Sequence, residues 1–533
     1  MLKVLILTIV VGIIVWYKWR KRLMSQLKRN GIPGPEPHIL WGNFKEYQIK
    51  GYAKCHEEWI KKYGRIVGYY LGGKPFVLVA DPELLKVIQI KEFHEFSKRQ
   101  LLLNDSGLNP NPRFKHSLIS CKDSRWKQMR SNLSPTFSGA KLKQMTPIIE
   151  STINKFLSRV ADNERQRQEF DIYDLFQGLT METIAKAGFG FDSESQTKDE
   201  DAVIEAVKAV FNVSVGQVLL FLWLVFPEFR FIINPIRILI DKVKDYFGYS
   251  DHGFLLKISD QLIKQRRANN GSNNQRDLLQ LMLESEASGM LSNDKLSISS
   301  DMNDDNDIEV KEKWSKKSKM TDDEISANAV LFFEAGYETT STALGYLMHI
   351  LINKQDIQEK VRQEVKELME TEGKLDYNTV TKLKYLEQVI YETLRVYPPV
   401  TTFISRTPRN DFHYNGLTLQ KGVDIRVPLY YLHRDPELWT KPEVFDENRF
   451  SDENKHLVNP VVWQPFGVGP RNCIGMRFAL LEIKLTIAKL LIKYKLIESN
   501  NTELGDIQRD FKTISMTPKT GVFTKAVLIS TDD

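Results

Sequence analysis

Apolar positions recur at helical spacing along most of the chain. The stretch Val4–Tyr17 is almost unbroken in its apolar character, and residues 123–247 and 321–352 follow a 3.6-residue period. Strand-like stretches are short, chiefly Ile66–Leu71 and Phe76–Val79. The pattern therefore predicts a mainly α-helical protein with a small β region.

The apolar run at the N-terminus predicts a membrane anchor over residues 1–22. At 1.5 Å per residue the run covers roughly 21 Å of the ~30 Å hydrocarbon core, and Lys3 and Lys18 can snorkel to extend it. Basic residues follow the run and only Lys3 precedes it, which places the remaining chain in the cytosol. A cleaved signal peptide is the alternative, but the bulky residues 16–20 do not resemble a cleavage site.

Changes in composition suggest how the rest of the chain is divided. Residues 23–37 are basic and then proline-rich, which predicts a stiff hinge, and residues 38–533 are predicted to form a single catalytic domain. Residues 289–319 are polar and predict a loop without an assigned function. The very apolar stretch Val213–Phe231 is interrupted by Pro227; it predicts a substrate-access or membrane-dipping segment, with plain core as the alternative.

Composition excludes several functional classes. The 533 residues include three cysteines, which argues against a disulfide framework and against a four-cysteine metal site. The net charge of +6 comes from interspersed residues, and no nucleic-acid-binding motif is present. An anionic membrane surface or an acidic protein partner fits this charge better.

Cys473 lies in a glycine-rich turn just before a predicted helix. Gly467, Gly469 and Gly475 are expected to adopt left-handed conformations and to allow close approach of a flat ligand. Free N–H groups at a helix N-terminus stabilise a thiolate, so the sequence predicts a lowered thiol pKa. Nucleophile, redox centre, metal ligand and simple buried cysteine all remain open on this evidence.

The long helix that starts after Thr321 has an unusual centre. Residues 321–324 form a capping box, and Ala335-Gly336-Tyr337-Glu338-Thr339-Thr340 places an acid, a glycine and hydroxyls amid apolar residues. A kinked helix with satisfied polar groups and a proton relay are both compatible with it. Glu392 and Arg395 lie at i,i+3 on another helix, and on their own they predict an exposed salt bridge.

Taken together, these motifs resemble the cytochrome P-450 superfamily of haem-thiolate monooxygenases, most closely its animal microsomal, xenobiotic-metabolising branch. The haem-binding pattern matches at Phe466, Gly469, Arg471, Cys473 and Gly475. The oxygen-activation motif matches at residues 335–340, the Glu-x-x-Arg motif at Glu392 and Arg395, and the Trp-x-x-x-Arg motif at Trp126 and Arg130. The meander motif is weaker, because residues 447–450 keep only Arg449 and Phe450 of it.

The resemblance implies a cytochrome P-450 fold that holds haem b between a long distal helix and a proximal cysteine loop. Cys473 would be the axial thiolate ligand, with Phe466 packed beside the sulfur. Donors to the haem propionates would be Trp126, Arg130, Arg406, Arg471 and, in addition, Arg99. Arg449 would complete a structural cluster with Glu392 and Arg395.

On the distal side, the resemblance implies that Thr339 holds dioxygen and water while Glu338 feeds protons inward. Ala335 and Gly336 would leave room for the oxygen. The pocket would be lined by residues 101–118, 211–222, 332–333, 400–404 and 520–522. A lipophilic small-molecule substrate follows from their apolar character.

The implied reaction inserts one oxygen atom into the substrate, with electrons from NADPH through a flavoprotein reductase. Basic residues Arg125, Lys127, Lys141 and Arg477 are candidate contacts for that acidic partner. A small haem electron-transfer protein is a further candidate partner, and the implied location is the endoplasmic reticulum membrane. A peroxide-using haem-thiolate isomerase or dehydratase and a non-catalytic haem carrier are the competing hypotheses.

Overall fold

The fold is described by a computed structural model over residues 1–99, 112–191, 193, 195–196, 202–211, 218–247, 251–268, 277–287, 319–512 and 514–529. The polar loop predicted at 289–319 lies outside these residues except for Lys319. Parts of two predicted pocket segments, 101–111 and 212–217, also lie outside them.

Helices dominate the described residues, as predicted. In chain order they are α1 Leu2–Met24, α2 Gln26–Arg29, α3 Phe44–Lys50, α4 Tyr52–Tyr63, α5 Pro82–Lys86, α6 Asp123–Leu133, α7 Gly139–Arg165, α8 Ile172–Thr183, α9 Ala202–Phe211, α10 Val218–Val225, α11 Arg230–Tyr246, α12 Asp251–Ala268, α13 Leu278–Ala287, α14 Asp322–Asn353, α15 Gln355–Glu372, α16 Tyr377–Val380, α17 Lys384–Val396, α18 Leu429–Leu432 and α19 Met476–Leu491. Single π-helical turns at Val87–Lys91 and Ile184–Gly188 extend α5 and α8, and 3₁₀ turns include Pro112–His116, Ser134–Phe137, Pro227–Phe229, Glu447–Phe450 and Lys455–Leu457.

The strands form small sheets. They are β1 Ile66–Leu71, β2 Lys74–Val79, β3 Phe170–Asp171, β4 Ser405–Arg406, β5 Phe412–Tyr414, β6 Leu417–Leu419, β7 Asp424–Arg426, β8 Tyr494–Ile497, β9 Arg509–Phe511, β10 Met516–Pro518 and β11 Phe523–Leu528. One sheet has the order β1-β2-β7-β4, with β2 and β7 parallel and the other neighbours antiparallel. Another has the order β3-β11-β8, and β9 pairs with β10 as a hairpin. The predicted fold class, mainly α with a small β region, is confirmed.

The long helix α14 runs through the largest core cluster. It begins with the predicted capping box: the Thr321 hydroxyl accepts from the backbone N–H of Glu324, whose carboxylate accepts from the N–H of Thr321. Nearly every residue from Glu324 to Ile352 is buried, and α14 packs along α8. Burial on all sides of this helix places polar side chains, such as those of Glu324 and Glu338, inside the protein together with the apolar ones.

The N-terminal helix α1 is the one helix among the described residues that is long and apolar enough to cross a membrane, and its apolar residues are exposed. One of the basic residues that follow the apolar run, Arg20, contacts the rest of the protein. Arg20 is fully buried and donates to the backbone oxygens of Ile39 and Leu40 at 3.0 and 2.7 Å, and to Glu228 at 3.3 Å. The Trp16 indole also donates to Glu228, at 2.7 Å.

The segment predicted as a hinge packs against the sheet. Met24, Leu27 and Ile32 are buried in a core cluster that includes Tyr70 of β1. The backbone N–H of Gly68 donates to the carbonyl of Pro33 at 2.7 Å. The proline-rich stretch therefore follows the edge of the domain because its apolar residues gain burial there.

Candidate functional site

The turn before α19 holds Cys473 in place. Gly467 and Gly469 both have φ +73°, as expected of a tight turn, whereas Gly475 has φ −92° and is not left-handed as predicted. A Cβ added at Gly469 would lie 2.1 Å from the carbonyl oxygen of Gln89, so only glycine fits there. The backbone N–H of Cys473 donates to the carbonyl of Phe466 at 2.7 Å, which closes the turn.

The thiol of Cys473 is accessible, yet it lies deep within the protein. Burial raises its pKa, against the opposing effects of backbone N–H groups of Gly475 and Met476 and the positive charges of Arg130 and Arg99. The prediction of a lowered thiol pKa is therefore wrong for the polypeptide alone, because desolvation outweighs the helix terminus. The surrounding donors nevertheless favour the thiolate, so a bound cation would complete its stabilisation.

Four buried or nearly buried arginines converge around this turn, and we call them the arginine cluster. Its members are Arg99, Arg130, Arg406 and Arg471. Arg130 donates to the backbone and side-chain oxygens of Asn472 at 3.0 and 2.8 Å, which ties α6 to the cysteine turn. Arg471 donates to the carbonyl of Cys121 at 2.8 Å and lies over the ring of Trp126 at 4.5 Å. Arg406 is supplied by strand β4 and Arg99 lies over Phe403.

Carboxylates of the described residues do not balance the charge of the arginine cluster. Within the described part of the chain, none of its guanidinium groups pairs with a carboxylate, and the Nε of each is buried without a partner. Burial lowers the pKa of Arg99 and of Arg130 to about 10, and the neighbouring arginines contribute to the lowering at Arg99. Burial and the other arginines also lower the pKa of Arg406 and Arg471. A planar ligand bearing carboxylates beside Cys473 fits this donor set.

Helix α14 presents an accessible strip at its centre. Ala335 is exposed and Thr339 is half-buried, although almost all other residues of the helix are buried. The hydroxyl of Thr339 donates to the carbonyl of Ala335, one turn earlier, at 2.7 Å. Phe137 contacts Phe332 of this helix and lies nearest to the Cβ position of Gly475, so it connects α14 with the cysteine turn.

Gly336 has a different role from the one predicted for it. A Cβ added to this residue would lie 2.9 Å from Cγ1 of Ile184, in the π-helical turn that follows α8. The glycine therefore permits close packing between two helices, and its missing side chain does not leave open space for a ligand. Of the two residues expected to make room for oxygen, Ala335 is exposed and Gly336 is half-buried.

Glu338 is buried at 4% exposure, and its carboxylate is held by a C-terminal hairpin. It accepts from the hydroxyl of Ser515 at 2.9 Å and from the Lys512 ammonium at 3.2 Å. Sequence reasoning missed both partners, because they lie more than 170 residues away along the chain and belong to no recognisable motif.

The Glu392 cluster, formed by Glu392, Arg395 and Arg449, is buried. Glu392 and Arg395 are both fully buried and make two parallel hydrogen bonds of 2.8 Å, and Arg449 lies 3.3 Å from the same carboxylate. Arg395 also donates to the carbonyls of His433 and Pro442 at 2.8 Å. The prediction of an exposed salt bridge is wrong, whereas the three residues do meet as the family resemblance implied.

Other predicted contacts are placed differently. Arg125 pairs with Glu324 at the start of α14, and Phe333 stacks on Phe189 at 4.2 Å within the core. Thr520 and Gly521 line a polar cleft instead of an apolar pocket. Arg125 is therefore engaged in an ion pair, Phe333 packs within the core, and residues 520–521 lie at a polar surface.

Comparison with known proteins agrees with the geometry. The family model of cytochrome P450 matches residues 32–524. Cytochrome P450 3A11 of Mus musculus is 32% identical over 495 residues, which cover 93% of this chain and 91% of that protein. Cytochrome P450 3A5 of Homo sapiens is 31% identical over 498 residues, covering 93% and 92%. The chain therefore belongs to the cytochrome P450 family, whose members are monooxygenases that bind haem b through a cysteine thiolate.

Proposed function

We propose that this protein inserts one oxygen atom of dioxygen into a lipophilic small molecule, using electrons from NADPH delivered by a flavoprotein reductase. The observation that carries the proposal is the juxtaposition of Cys473 with the arginine cluster, beneath a distal helix that keeps both Glu338 and Thr339. A haem-thiolate isomerase or dehydratase needs no such acid–alcohol pair, and a haem carrier needs no accessible distal strip.

The chain's own residues have separable roles. Cys473 is the ligand of the iron, and Phe466, whose carbonyl closes the turn, limits access of water to the sulfur. The arginine cluster and Trp126 orient the ligand through its carboxylates. Bound haem supplies the capacity to bind and activate dioxygen.

Proton movement is assigned to α14. The Thr339 hydroxyl donates to the Ala335 carbonyl and so can accept a hydrogen bond from the distal side. Glu338, the preceding residue, supplies protons to it. Uncoupled reduction of dioxygen is suppressed when both groups are present.

The partners and location follow from charge and apolar surface. Arg477 is exposed on the first turn of α19, directly after the cysteine turn, and is a candidate contact for an acidic reductase. Helix α11 exposes Phe231, Ile232, Leu239 and Val243, which suits contact with lipid beside the anchor α1. We place the anchor in the endoplasmic reticulum membrane with the catalytic domain in the cytosol.

The first experiment tests the ligand. The purified, reduced protein under carbon monoxide should show the strongly red-shifted Soret band of a thiolate-ligated haem, and Cys473→Ser should abolish it. Cys121→Ser is the matched control and should retain the band. Retention of the band in Cys473→Ser would refute the assignment of the ligand.

The second experiment tests the reaction. With reductase and NADPH, Thr339→Ala should lower product formed per NADPH by at least about tenfold, while Thr340→Ala, a buried neighbour, should change it little. Rapid rearrangement of peroxides without any NADPH-dependent product would favour the isomerase hypothesis. Unchanged coupling in Thr339→Ala would remove this residue from the relay.

A further inference from the structure

The last turns of the anchor helix α1 are held inside the catalytic domain by a charged side chain. Arg20 is fully buried, and each of the three nitrogens of its guanidinium group has an acceptor. The acceptors are the carbonyls of Ile39, Leu40 and Val225 and the carboxylate of Glu228. A buried cation is tolerated only when its donors are satisfied in this way, so Arg20 holds α1 in one position relative to the domain.

A second donor from α1 reaches the same carboxylate. Trp16 precedes Arg20 by about one helical turn, and its indole N–H donates to Glu228 at 2.7 Å. Glu228 lies in the 3₁₀ turn Pro227–Phe229, which connects α10 with α11. Arg20, Trp16 and Glu228 therefore join the anchor to the connection between two other helices, and we call these three residues the anchor clamp.

The turn between β1 and β2 leaves room for the anchor clamp. A Cβ added at Gly73 would lie 2.8 Å from Nη1 of Arg20 and 2.7 Å from Cγ of Pro227. At Gly72, whose φ is +59°, an added Cβ would lie 2.1 Å from the carbonyl oxygen of Leu224. The backbone N–H of Gly73 donates to that same carbonyl at 2.7 Å. Two consecutive glycines thus allow the guanidinium group and the end of α10 to meet against the sheet.

The anchor clamp connects two helices that expose apolar surface. On α1, the large apolar side chains of residues 2–15 are exposed. On α11, apolar side chains such as those of Phe231, Leu239 and Val243 are exposed, whereas Ile233 is buried in a core cluster. Exposed apolar surface of this extent is suited to lipid, and the clamp fixes how the two surfaces lie relative to each other.

Building on the membrane location given under the proposed function, we propose that the anchor clamp sets the angle between α1 and the catalytic domain, so that α1 and α11 enter one phospholipid surface together. A flexible tether would let the domain turn freely on the membrane, whereas a clamped helix transmits its own tilt to the domain. Trp16 suits the boundary between the apolar run and the polar clamp, because an indole favours the level of the lipid headgroups.

The first test measures a distance in the full-length haem protein in phospholipid nanodiscs. Spin labels on Val10→Cys in α1 and Leu457→Cys on the domain, both at exposed positions, report their separation by pulsed electron paramagnetic resonance. Residue 10 lies about 21 Å along the helix from its end, so a swing of about 20° in Arg20→Leu displaces the label by roughly 7 Å. The distance distribution should broaden by that amount in Arg20→Leu and remain narrow in Arg22→Leu, which removes an exposed cation from the same helix. A distribution in Arg20→Leu as narrow as that of the unsubstituted clamp would overturn the proposal.

The acid of the anchor clamp is tested in the same way. Glu228→Leu should broaden the distribution, whereas Glu36→Leu, which removes an exposed acid paired with Lys28, should not. Each variant should keep the red-shifted Soret band under carbon monoxide, because none of these residues belongs to the arginine cluster or to the cysteine turn. Broadening in Arg20→Leu without broadening in Glu228→Leu would remove Glu228 from the clamp and overturn it as stated.

The second test measures orientation on the membrane. Polarised absorption of the haem in oriented bilayers reports the tilt of the domain and requires neither reductase nor substrate. The wild type and Arg22→Leu should show one tilt, whereas Arg20→Leu and Glu228→Leu should show a broad range of tilts. A single, unchanged tilt in Arg20→Leu would overturn the link between anchor and domain orientation. A wild type that shows one tilt but forms no NADPH-dependent product would refute the proposed reaction and leave the anchor clamp supported.

Discussion

Two groups of buried arginines in this protein differ in how their charge is balanced. In the Glu392 cluster, Arg395 and Arg449 share a carboxylate of the chain, and the remaining donors of Arg395 meet backbone carbonyls. In the arginine cluster around Cys473, neighbouring arginines depress the pKa of Arg99, Arg406 and Arg471, with no carboxylate of the described chain among them.

The difference separates structure from ligand binding. A cluster that satisfies its own charge is complete without any other molecule, so its effect is to fix the position of α17 against residues 433–449. A cluster that leaves guanidinium groups unpaired destabilises the polypeptide until an anion is present. Such an imbalance is visible only in three dimensions, because its members come from four separate parts of the chain.

The largest expected effect on stability comes from breaking the Glu392 cluster. Arg395→Leu leaves Glu392 fully buried without its bidentate partner, which should lower the free energy of unfolding by about 3–5 kcal/mol, measured by urea denaturation. Arg449→Ala should lower the free energy of unfolding by less, because Arg449 lies farther from the Glu392 carboxylate than Arg395 does and is partly exposed. A double variant with leucine at both 392 and 395 should recover much of the loss, and failure to recover would show that the ion pair contributes beyond its own charge balance.

A smaller effect is expected in the arginine cluster, and it should appear as faster loss of bound haem. On the proposed assignment, Arg471→Leu removes a charged donor to a ligand carboxylate, so release of haem to an acceptor protein should accelerate about 10- to 100-fold. Unfolding of the haem-free chain should not become easier, because a repulsive buried charge has been removed. Arg409→Leu, whose partner is Asp123, serves as the control outside the cluster. Equal rates of haem release from the wild type, Arg471→Leu and Arg409→Leu would contradict a ligand-binding role for the arginine cluster.

The smallest expected effect is a pH dependence of stability caused by His433, whose backbone carbonyl accepts from Arg395 of the Glu392 cluster. Burial, with smaller contributions from Arg395 and Arg434, lowers the pKa of His433 to about 3. Its Nε2 accepts from the N–H of Gln464, so Nδ1 carries the proton donated to the Arg395 carbonyl. Below about pH 6.5, His433 binds a proton in the unfolded chain but not in the folded protein. The free energy of unfolding therefore falls as the pH drops towards 3.

Between pH 7 and pH 5 this histidine alone should account for about 2 kcal/mol of lost stability. His433→Asn should remove that component from the pH profile of urea unfolding. His56 packs against Trp59 and Tyr69, and burial lowers its pKa to about 3 as well, so it should contribute a separate component that persists in His433→Asn. An unchanged slope in His433→Asn would show that the residue is already charged in the folded protein.

Local sequence was informative wherever the determinants are local. The capping box at Thr321 and the strand Ile66–Leu71 were predicted with their correct bounds, because capping and periodicity act over a few residues. The family motifs identified Cys473 and the distal helix. Burial was not predictable in this way: Glu392 and Arg395 have the spacing of a surface pair, and only tertiary packing decides their environment.

Distant contacts account for the remaining errors. The thiol pKa of Cys473 depends on the whole volume of protein around it, and Gly336 is required by the approach of Ile184 from another helix. Lys512 and Ser515 reach Glu338 through the path of a hairpin near the C-terminus. None of these has a signal within a window of sequence.

The buried Arg20 has a consequence for how the protein can be prepared. It belongs to the anchor helix, yet its partners are carbonyls and a carboxylate of the catalytic domain, at Ile39, Leu40 and Glu228. Shortening the gene to remove α1 would therefore do more than improve solubility. It would remove a buried cation and leave those acceptors without their donor, so a truncated enzyme would differ from the natural one beside the segment that precedes α11.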